Sequence, residues 1–461
     1  MARSDLYVTE PKTEATVPPH SSSGQRSGGM HLPRFNHNGH EVSKGIAPEG
    51  ESGRRGIHPL KFLRICFRSS SKVSMAVNVL WPIVPVAIAL HFARPEWHLA
   101  IFITNYIAMV PAANLIGFAG QELARKLPKV FGVVLEITLG SVVEIILFMV
   151  LLKTSGGEDR SENVPVIQAA ILGSILANML LCLGACFFAG GLKREEQKFH
   201  EAISEAGSGL MLVAGMGLVL PTVYANALAN RTDEPIGEEA KTISRATALI
   251  LLAAFLVYML FQLKSHDNLY AEIFEKDELQ DADRHKDLAK EKLTLTECAI
   301  ALVIALACVS LIAVFLVEEI PFMVEERHVS DAFVGLILLP LVEKAAEHLT
   351  AVDEAWDNQM NFALAHVLGA SIQTALLNTP LVIIVGWCIG VPMDMQFQLF
   401  DAVALILAIL VVGSFLRDGK SNYLEGTLCV FIYIIIAVCA FYYPNPAHHG
   451  GGGGEGGEGG H

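Results

Sequence analysis

Charge is scarce in this chain. Asp, Glu, Lys and Arg make up only 17% of its residues, whereas a soluble domain carries about 25%. Apolar residues reach 52%, and the mean hydropathy is +0.45. Together these exclude an ordinary soluble fold and predict a polytopic membrane protein. Basic patches are also lacking, and the net charge is −14, so no nucleic-acid partner is expected. A disulfide framework is absent too. Cys182, Cys186, Cys298, Cys308, Cys388, Cys429 and Cys439 all lie in apolar stretches. Cys182 and Cys186 stand four apart but read as small packing residues rather than a metal pair. No apolar core of a signal peptide follows Met1. Neither His-Glu-x-x-His nor any nucleophile constellation occurs, so no enzyme is expected.

Long apolar runs dominate what is there. About eleven reach the roughly 20 residues that a bilayer requires. They run near Val73–Phe92, Trp97–Phe118, Phe131–Leu152, Val164–Leu192, Gly207–Tyr224, Thr242–Leu263, Leu295–Val317, Ser330–Val352, Asn361–Gly390, Phe397–Phe415 and Tyr423–Tyr443. The predicted fold class is an all-α polytopic membrane protein with one N-terminal helix and two inverted five-helix repeats. Residues 1–72 form a disordered cytosolic N-terminus with a basic end, and 73–263 the first transmembrane unit. Residues 264–294 form an acidic linker, 295–443 the second repeat, and 444–461 a disordered Gly/His-rich tail. The N-terminal histidines His20, His31, His37 and His40 lack ligand spacing.

Two of these spans carry buried charge. One is Asp331 to Asp353, read as a single apolar helix with Glu343, Lys344, Glu347 and His348 on one broad face and Pro340 a turn earlier. The other is Phe131 to Leu152, which holds Glu136 and Glu144 and no basic residue. A single charge at the bilayer centre costs about 3 kcal/mol on insertion scales. Unpaired carboxylates there either protonate or bind a cation. Two such helices in separate halves define a site that chooses between protons and cations.

Loop charge supports the count. The basic run Arg54, Arg55, Lys61, Arg64, Arg68 and Lys72 precedes the first span and is placed in the cytosol. Arg125, Lys126, Lys129, Lys193, Arg194, Lys198, Arg417 and Lys420 fall on the same side. Glu158, Asp159, Glu318, Glu319, Glu325 and Glu326 fall opposite, as does the acceptor triplet Asn230-Arg231-Thr232. The two acidic helices are then antiparallel. Each precedes a similar helix, with Leu172-Gly173-Ser174 in one and Leu368-Gly369-Ala370 in the other. Inverted units with a midplane site are a signature of secondary transporters. In the linker, Leu269, Tyr270, Ile273 and Phe274 make an apolar stripe beside Glu272, Glu275, Asp277, Glu278, Asp281 and Asp283. That pattern fits an interfacial helix or a solvated one equally.

The run Leu172 to Asn178 and the segment Ala345-Ala346-Glu347-His348 resemble the CAX family of cation/proton exchangers, and most closely its fungal vacuolar calcium/proton members. Further likeness lies in Phe261-Gln262-Leu263-Lys264-Ser265 and Ser421-Asn422-Tyr423. It extends from about Ser74 to Tyr443. The resemblance implies that Glu144 and Glu347 bind the cation as metal ligands and exchange it for protons. It places Ser141, His348, Gln373 and Ser174 around them, with Glu275, Glu278 and Asp281 in a regulatory acidic linker. The family motifs run Gly-Asn-Ala-x-Glu and Gly-Asn-Ala-Ala-Glu-His. Ser141 replaces the first Asn, Glu343-Lys344 replaces the second Gly-Asn, and Glu136 stands where an Asn is usual. Lysine supplies no oxygen ligand, and its charge is expected to be held by Glu343, Glu347 or a carboxylate of the facing helix such as Glu136.

The implied activity is exchange of cytosolic Ca²⁺ for luminal protons across the vacuolar membrane, with no cofactor. Lipids, Ca²⁺ and protons are the implied partners, and a homo-oligomer stays open. Two alternatives also stay open: a Na⁺/K⁺–proton exchanger and a non-transporting membrane sensor.

Overall fold

The computed structural model describes residues 35–36, 38–43, 45–155, 163–229, 237–281 and 284–444. The expectations for residues 1–34, Glu158 and Asp159, the Asn230 triplet, Asp283 and the C-terminal tail lie outside them.

Pro59–Arg68 forms α1, which lies before the first span. Ser71 then caps the next helix, accepting from the Ser74 amide, and Lys72–Ala93 forms α2. Next come α3 (His98–Ala124) and α4 (Lys129–Thr154). The helix Val164–Lys193, α5, contains one wide π turn over Ala177–Cys182. Glu201–Ala229 is α6 and Gly237–Leu260 is α7. The linker helix α8 spans Asp267–Gln280. Leu295–Glu318, α9, opens on a capping box in which the Thr294 hydroxyl and the Glu297 carboxylate each satisfy an amide of the first turn.

The predicted span Ser330–Val352 is not one helix. It begins as α10 (331–343), passes through a π turn at Val334–Leu338, and stops at Lys344, where α11 (Ala345–Trp356) starts. Pro340 explains the disturbance. It has no N–H to offer the Leu336 carbonyl, so the regular hydrogen-bond ladder fails there. The chain continues with α12 (Met360–Ile389), α13 (Leu399–Phe415) and α14 (Tyr423–Phe441). Asn422 caps α14 by accepting from the Leu424 and Glu425 amides.

Ten helices among the described residues are long and apolar enough to cross a membrane. The broken α10–α11 pair supplies the eleventh predicted span. Their outer faces carry exposed apolar side chains, such as Ile250 and Val257 on α7 and Ile435 and Val438 on α14. The halves share a plan. In each, an acidic helix precedes a helix of 30 residues with a π turn near its middle, at Ala177–Cys182 in α5 and Thr374–Asn378 in α12.

Close helix approach depends on glycine at Gly173. A Cβ there would lie 2.3 Å from the Leu336 carbonyl oxygen. The carbonyl that Pro340 leaves without its usual donor thus sits against the bare backbone of α5.

Residues 45–58 are docked, where the sequence predicts a disordered N-terminus. Buried Lys126 donates from Nζ to the carbonyls of Gly50 (2.6 Å) and Leu293 (2.8 Å). Its own carbonyl accepts from Ala47. Arg54 reaches the Lys292 carbonyl at 2.7 Å, and the Glu297 carboxylate accepts the His58 amide at 3.0 Å. A buried ammonium needs acceptors, and this Gly-rich strap supplies one of the two from its backbone.

The linker helix α8 packs one face against the protein and leaves the other exposed. Tyr270, Ile273 and Phe274 of its apolar stripe are buried against protein while Leu269 is exposed, and the Phe274 and Phe362 rings stack at 4.7 Å. Asp277 is buried at the start of α12 and accepts from the Asn361 amide and side chain, both at 2.7 Å, and from the Phe362 amide at 3.2 Å. Burial pushes its carboxyl above the usual range, against the pull of those three donors.

Candidate functional site

The break at Lys344 turns an ammonium into the protein interior. Lys344 is fully buried, as is Glu144 on α4. Lys344 Nζ lies 2.8 Å from Glu144 Oε2 and 3.4 Å from Glu347 Oε2. The lysine therefore bridges the two carboxylates that the sequence assigns to the cation, one from each half of the chain.

Glu144 is held firmly. The Thr374 hydroxyl lies 2.9 Å from both of its oxygens, and Asn378 Nδ2 donates to Oε2 at 3.0 Å. Both partners lie on the π turn of α12. On the other side, His348 Nε2 lies 3.0 Å from Oδ1 of Asn178, on the π turn of α5. Each π turn thus serves an ionisable side chain from the opposite half.

Ser141 and Gln373 form a clamp between α4 and α12. The Ser141 hydroxyl donates to Gln373 Oε1 at 2.9 Å, and Gln373 Nε2 donates to Thr138 at 3.2 Å. Glu343 is buried on α10, and neither of its carboxylate oxygens has a hydrogen-bond partner. Ser174, whose hydroxyl is likewise unpartnered, is its polar neighbour on α5. With every acid ionised, Glu144, Glu343 and Glu347 set three negative charges against the one positive charge of Lys344, a net of −2.

Of the carboxylates expected to hold Lys344, Glu347 does, and on the facing helix Glu144 takes the place expected of Glu136. Glu136 lies two turns before Glu144 on α4, and its Oε1 lies 3.5 Å from His366 Nε2. Of the linker acids, Glu278 and Asp281 line a cavity of about 210 Å³ that Glu136 and Glu354 also line. Glu275 is exposed on α8. Among the described residues no group of three or more His, Cys, Asp and Glu side chains is spaced to hold a metal ion.

Sequence reasoning missed Asn178, Thr374, Asn378, Glu354 and His366 as functional candidates. For four of them the signal was present: Asn178, Thr374, Asn378 and His366 are polar residues inside otherwise apolar spans, whereas Glu354 lies just past the predicted span. It also missed Gly140. A Cβ at Gly140 would lie 1.9 Å from Glu347 Oε1, so this bare stretch of α4 is the seat of the Glu347 carboxylate. The displaced atom is the end of a flexible side chain, so Gly140→Ala is expected to fold. Alanine in a helix should even offset part of the crowding, by up to about 1 kcal/mol. The misplaced carboxylate should nevertheless lower transport about 100-fold, as misplacement by 1 Å does at other sites. Thermal melting in detergent together with vesicle flux checks both halves of this expectation.

A buried charge cluster, built across two matching halves of a multi-span helical chain, defines a secondary transporter. The chain belongs to the sodium/calcium exchanger protein family, whose pattern matches residues 97–264 and 298–442. It is 34% identical over 382 residues to vacuolar cation/proton exchanger 5 of Arabidopsis thaliana, covering 81% of this chain and 82% of that one. It is 32% identical over 374 residues to the vacuolar calcium ion transporter of Schizosaccharomyces pombe, covering 81% and 86%. The structure of native YfkE shares its fold with a TM-score of 0.65 at 24% identity, covering 81% of this chain and all of that one.

Proposed function

We propose that this chain is a secondary antiporter of the vacuolar membrane that exchanges cytosolic Ca²⁺ for luminal protons. The observation that carries the reading is the Glu144–Lys344–Glu347 cluster, with Glu343 beside it. Its net charge of −2 matches two protons or one divalent cation. Glu343-Lys344 adds one charge of each sign, so the pair leaves that balance unchanged. Hard cations prefer carboxylate oxygens, and buried carboxylates bind protons readily. Protons and cation then compete for Glu144 and Glu347. Rocking of one half against the other exposes the site to each side in turn.

The acidic linker fits this reading. Glu278 and Asp281 line the outer cavity, where negative charge gathers cations from the cytosol. Lipid covers the apolar periphery.

A monovalent variant of the same reading rests on Lys344 itself, because its ammonium already satisfies Glu144. One assay separates the two. The purified chain is placed in vesicles with a trapped pH dye, and Ca²⁺, Mn²⁺, Na⁺ and K⁺ are added in turn. Ca²⁺-driven proton release that Na⁺ and K⁺ fail to inhibit is the expected result. Release driven by Na⁺ or K⁺ alone would replace Ca²⁺ as the substrate, and release by none of the four would end the antiporter reading.

A further inference from the structure

Glu347 and His366 look into one small cavity, of about 30 Å³. Four polar groups without a hydrogen bond line it: Gln121 Oε1, Asn178 Nδ2, both oxygens of Glu347 and His366 Nε2, although Glu347 Oε2 also lies 3.4 Å from Lys344 Nζ and His366 Nε2 3.5 Å from Glu136 Oε1. A space of that size with several polar partners accommodates a water molecule. The opposite nitrogen of the same imidazole, Nδ1, lies 2.7 Å from Glu354 Oε2. Glu354 in turn lines the outer cavity beside the acidic linker. Glu136 and Gln121 line both spaces. His366 therefore has one nitrogen toward the exchange site and the other on a carboxylate of the outer mouth.

We propose that His366 is the proton relay between the exchange site and the linker-side mouth, positioned by Glu136 and Glu354. This rests on the antiporter reading above. A proton released by the site passes through the cavity water to His366 Nε2, forming the N–H bond of an imidazolium. The Nδ1–H bond then breaks and its proton goes to Glu354 Oε2, which passes it to water in the outer cavity. The imidazole is left neutral in the other tautomer, and a ring flip resets it. No electrons move.

The charged and titratable groups around His366 suit this task. Glu136 faces it from α4, with Arg125 behind Glu136. Glu354 faces it from α11, with Asp353 beside Glu354. Glu347 and His348 of α11 and Cys182 of α5 line the shared cavity. Histidine can take up a proton at one ring nitrogen and release one from the other.

The test compares two exchange modes in vesicles holding the full chain. Ca²⁺/H⁺ exchange requires the relay, whereas isotopic Ca²⁺/Ca²⁺ exchange moves no net protons. His366→Gln is expected to slow Ca²⁺/H⁺ exchange about 100-fold, the lower range for a positioned acid–base group. Isotopic exchange should stay near the wild-type rate. In His366→Ala, added imidazole should restore part of the proton-coupled rate. A wild-type Ca²⁺/H⁺ rate in His366→Gln would overturn the relay, as would an equal fall in both modes, which marks a merely structural role. Failure of the wild-type chain to exchange Ca²⁺ for protons at all would instead overturn the antiporter reading.

Discussion

Glu144→Gln should abolish exchange and also destabilise the protein. Glu144 is the nearer partner of Lys344, at 2.8 Å, and both side chains are fully buried. Removing one member of a buried ion pair typically costs about 3–5 kcal/mol, because the other charge stays behind uncompensated. Replacing both members with uncharged groups of similar shape is often neutral or stabilising. Glu144→Gln combined with Lys344→Met is therefore expected to recover the thermal stability lost in the single variant, while exchange stays absent. Melting temperature in detergent and vesicle flux are measured on the same preparations. Exchange in the double variant would remove Glu144 from the site. Unrecovered stability would show that the two side chains do not depend on each other.

Lys344→Asn with Glu343→Gly should raise the apparent affinity for Ca²⁺ by at least about tenfold, equivalent to roughly 1.4 kcal/mol. The reasoning is spatial as well as electrostatic. The Lys344 ammonium occupies the gap that a cation would share between Glu144 and Glu347, at 2.8 and 3.4 Å from them. Two unit charges 4 Å apart repel by about 4 kcal/mol at an effective dielectric of 20. Even partial relief exceeds the tenfold threshold. The double substitution removes one charge of each sign, so the net balance stays fixed and the effect isolates the ammonium. The optimum pH of exchange should shift with it. Titration of proton release against Ca²⁺ at several pH values gives both quantities. Equal affinity and an unchanged pH profile would mean that the lysine swings clear of the site before the cation enters.

Hydropathy made the helical layout legible, because a bilayer demands a fixed length of apolar chain. Val164–Leu192 was expected and α5 spans Val164–Lys193. Leu295–Val317 was expected and α9 ends at Glu318. The break at Lys344 was not legible, although Pro340 was noticed. Proline says that a helix is disturbed, but tertiary packing decides where it stops. Pairing was legible only by type. The sequence demanded a carboxylate for Lys344 and named Glu343, Glu347 and Glu136 as candidates. The nearest, Glu144, lies two turns beyond Glu136 on the same helix, and only the register between α4 and α11 distinguishes them. The His366–Glu354 contact was hidden for a related reason. It crosses from α12 to α11, whereas helical spacing relates residues within one helix. The folded strap at residues 45–58 left no trace in composition, because it bonds largely through its own backbone and a Gly-rich stretch looks alike whether docked or free.

That strap governs where the chain can safely be trimmed for expression or labelling. A start at Pro59 would look sensible, since the first helix begins there. It would take away the Gly50 carbonyl that holds the Lys126 ammonium and the His58 amide that occupies Glu297. Both side chains would keep their charges, Lys126 with only the Leu293 carbonyl and Glu297 without the strap's donors. A tag or fluorescent fusion belongs upstream of residue 45, and a protease that clips between residues 45 and 58 would yield a product nearly full length by mass yet loosened at its linker-side mouth.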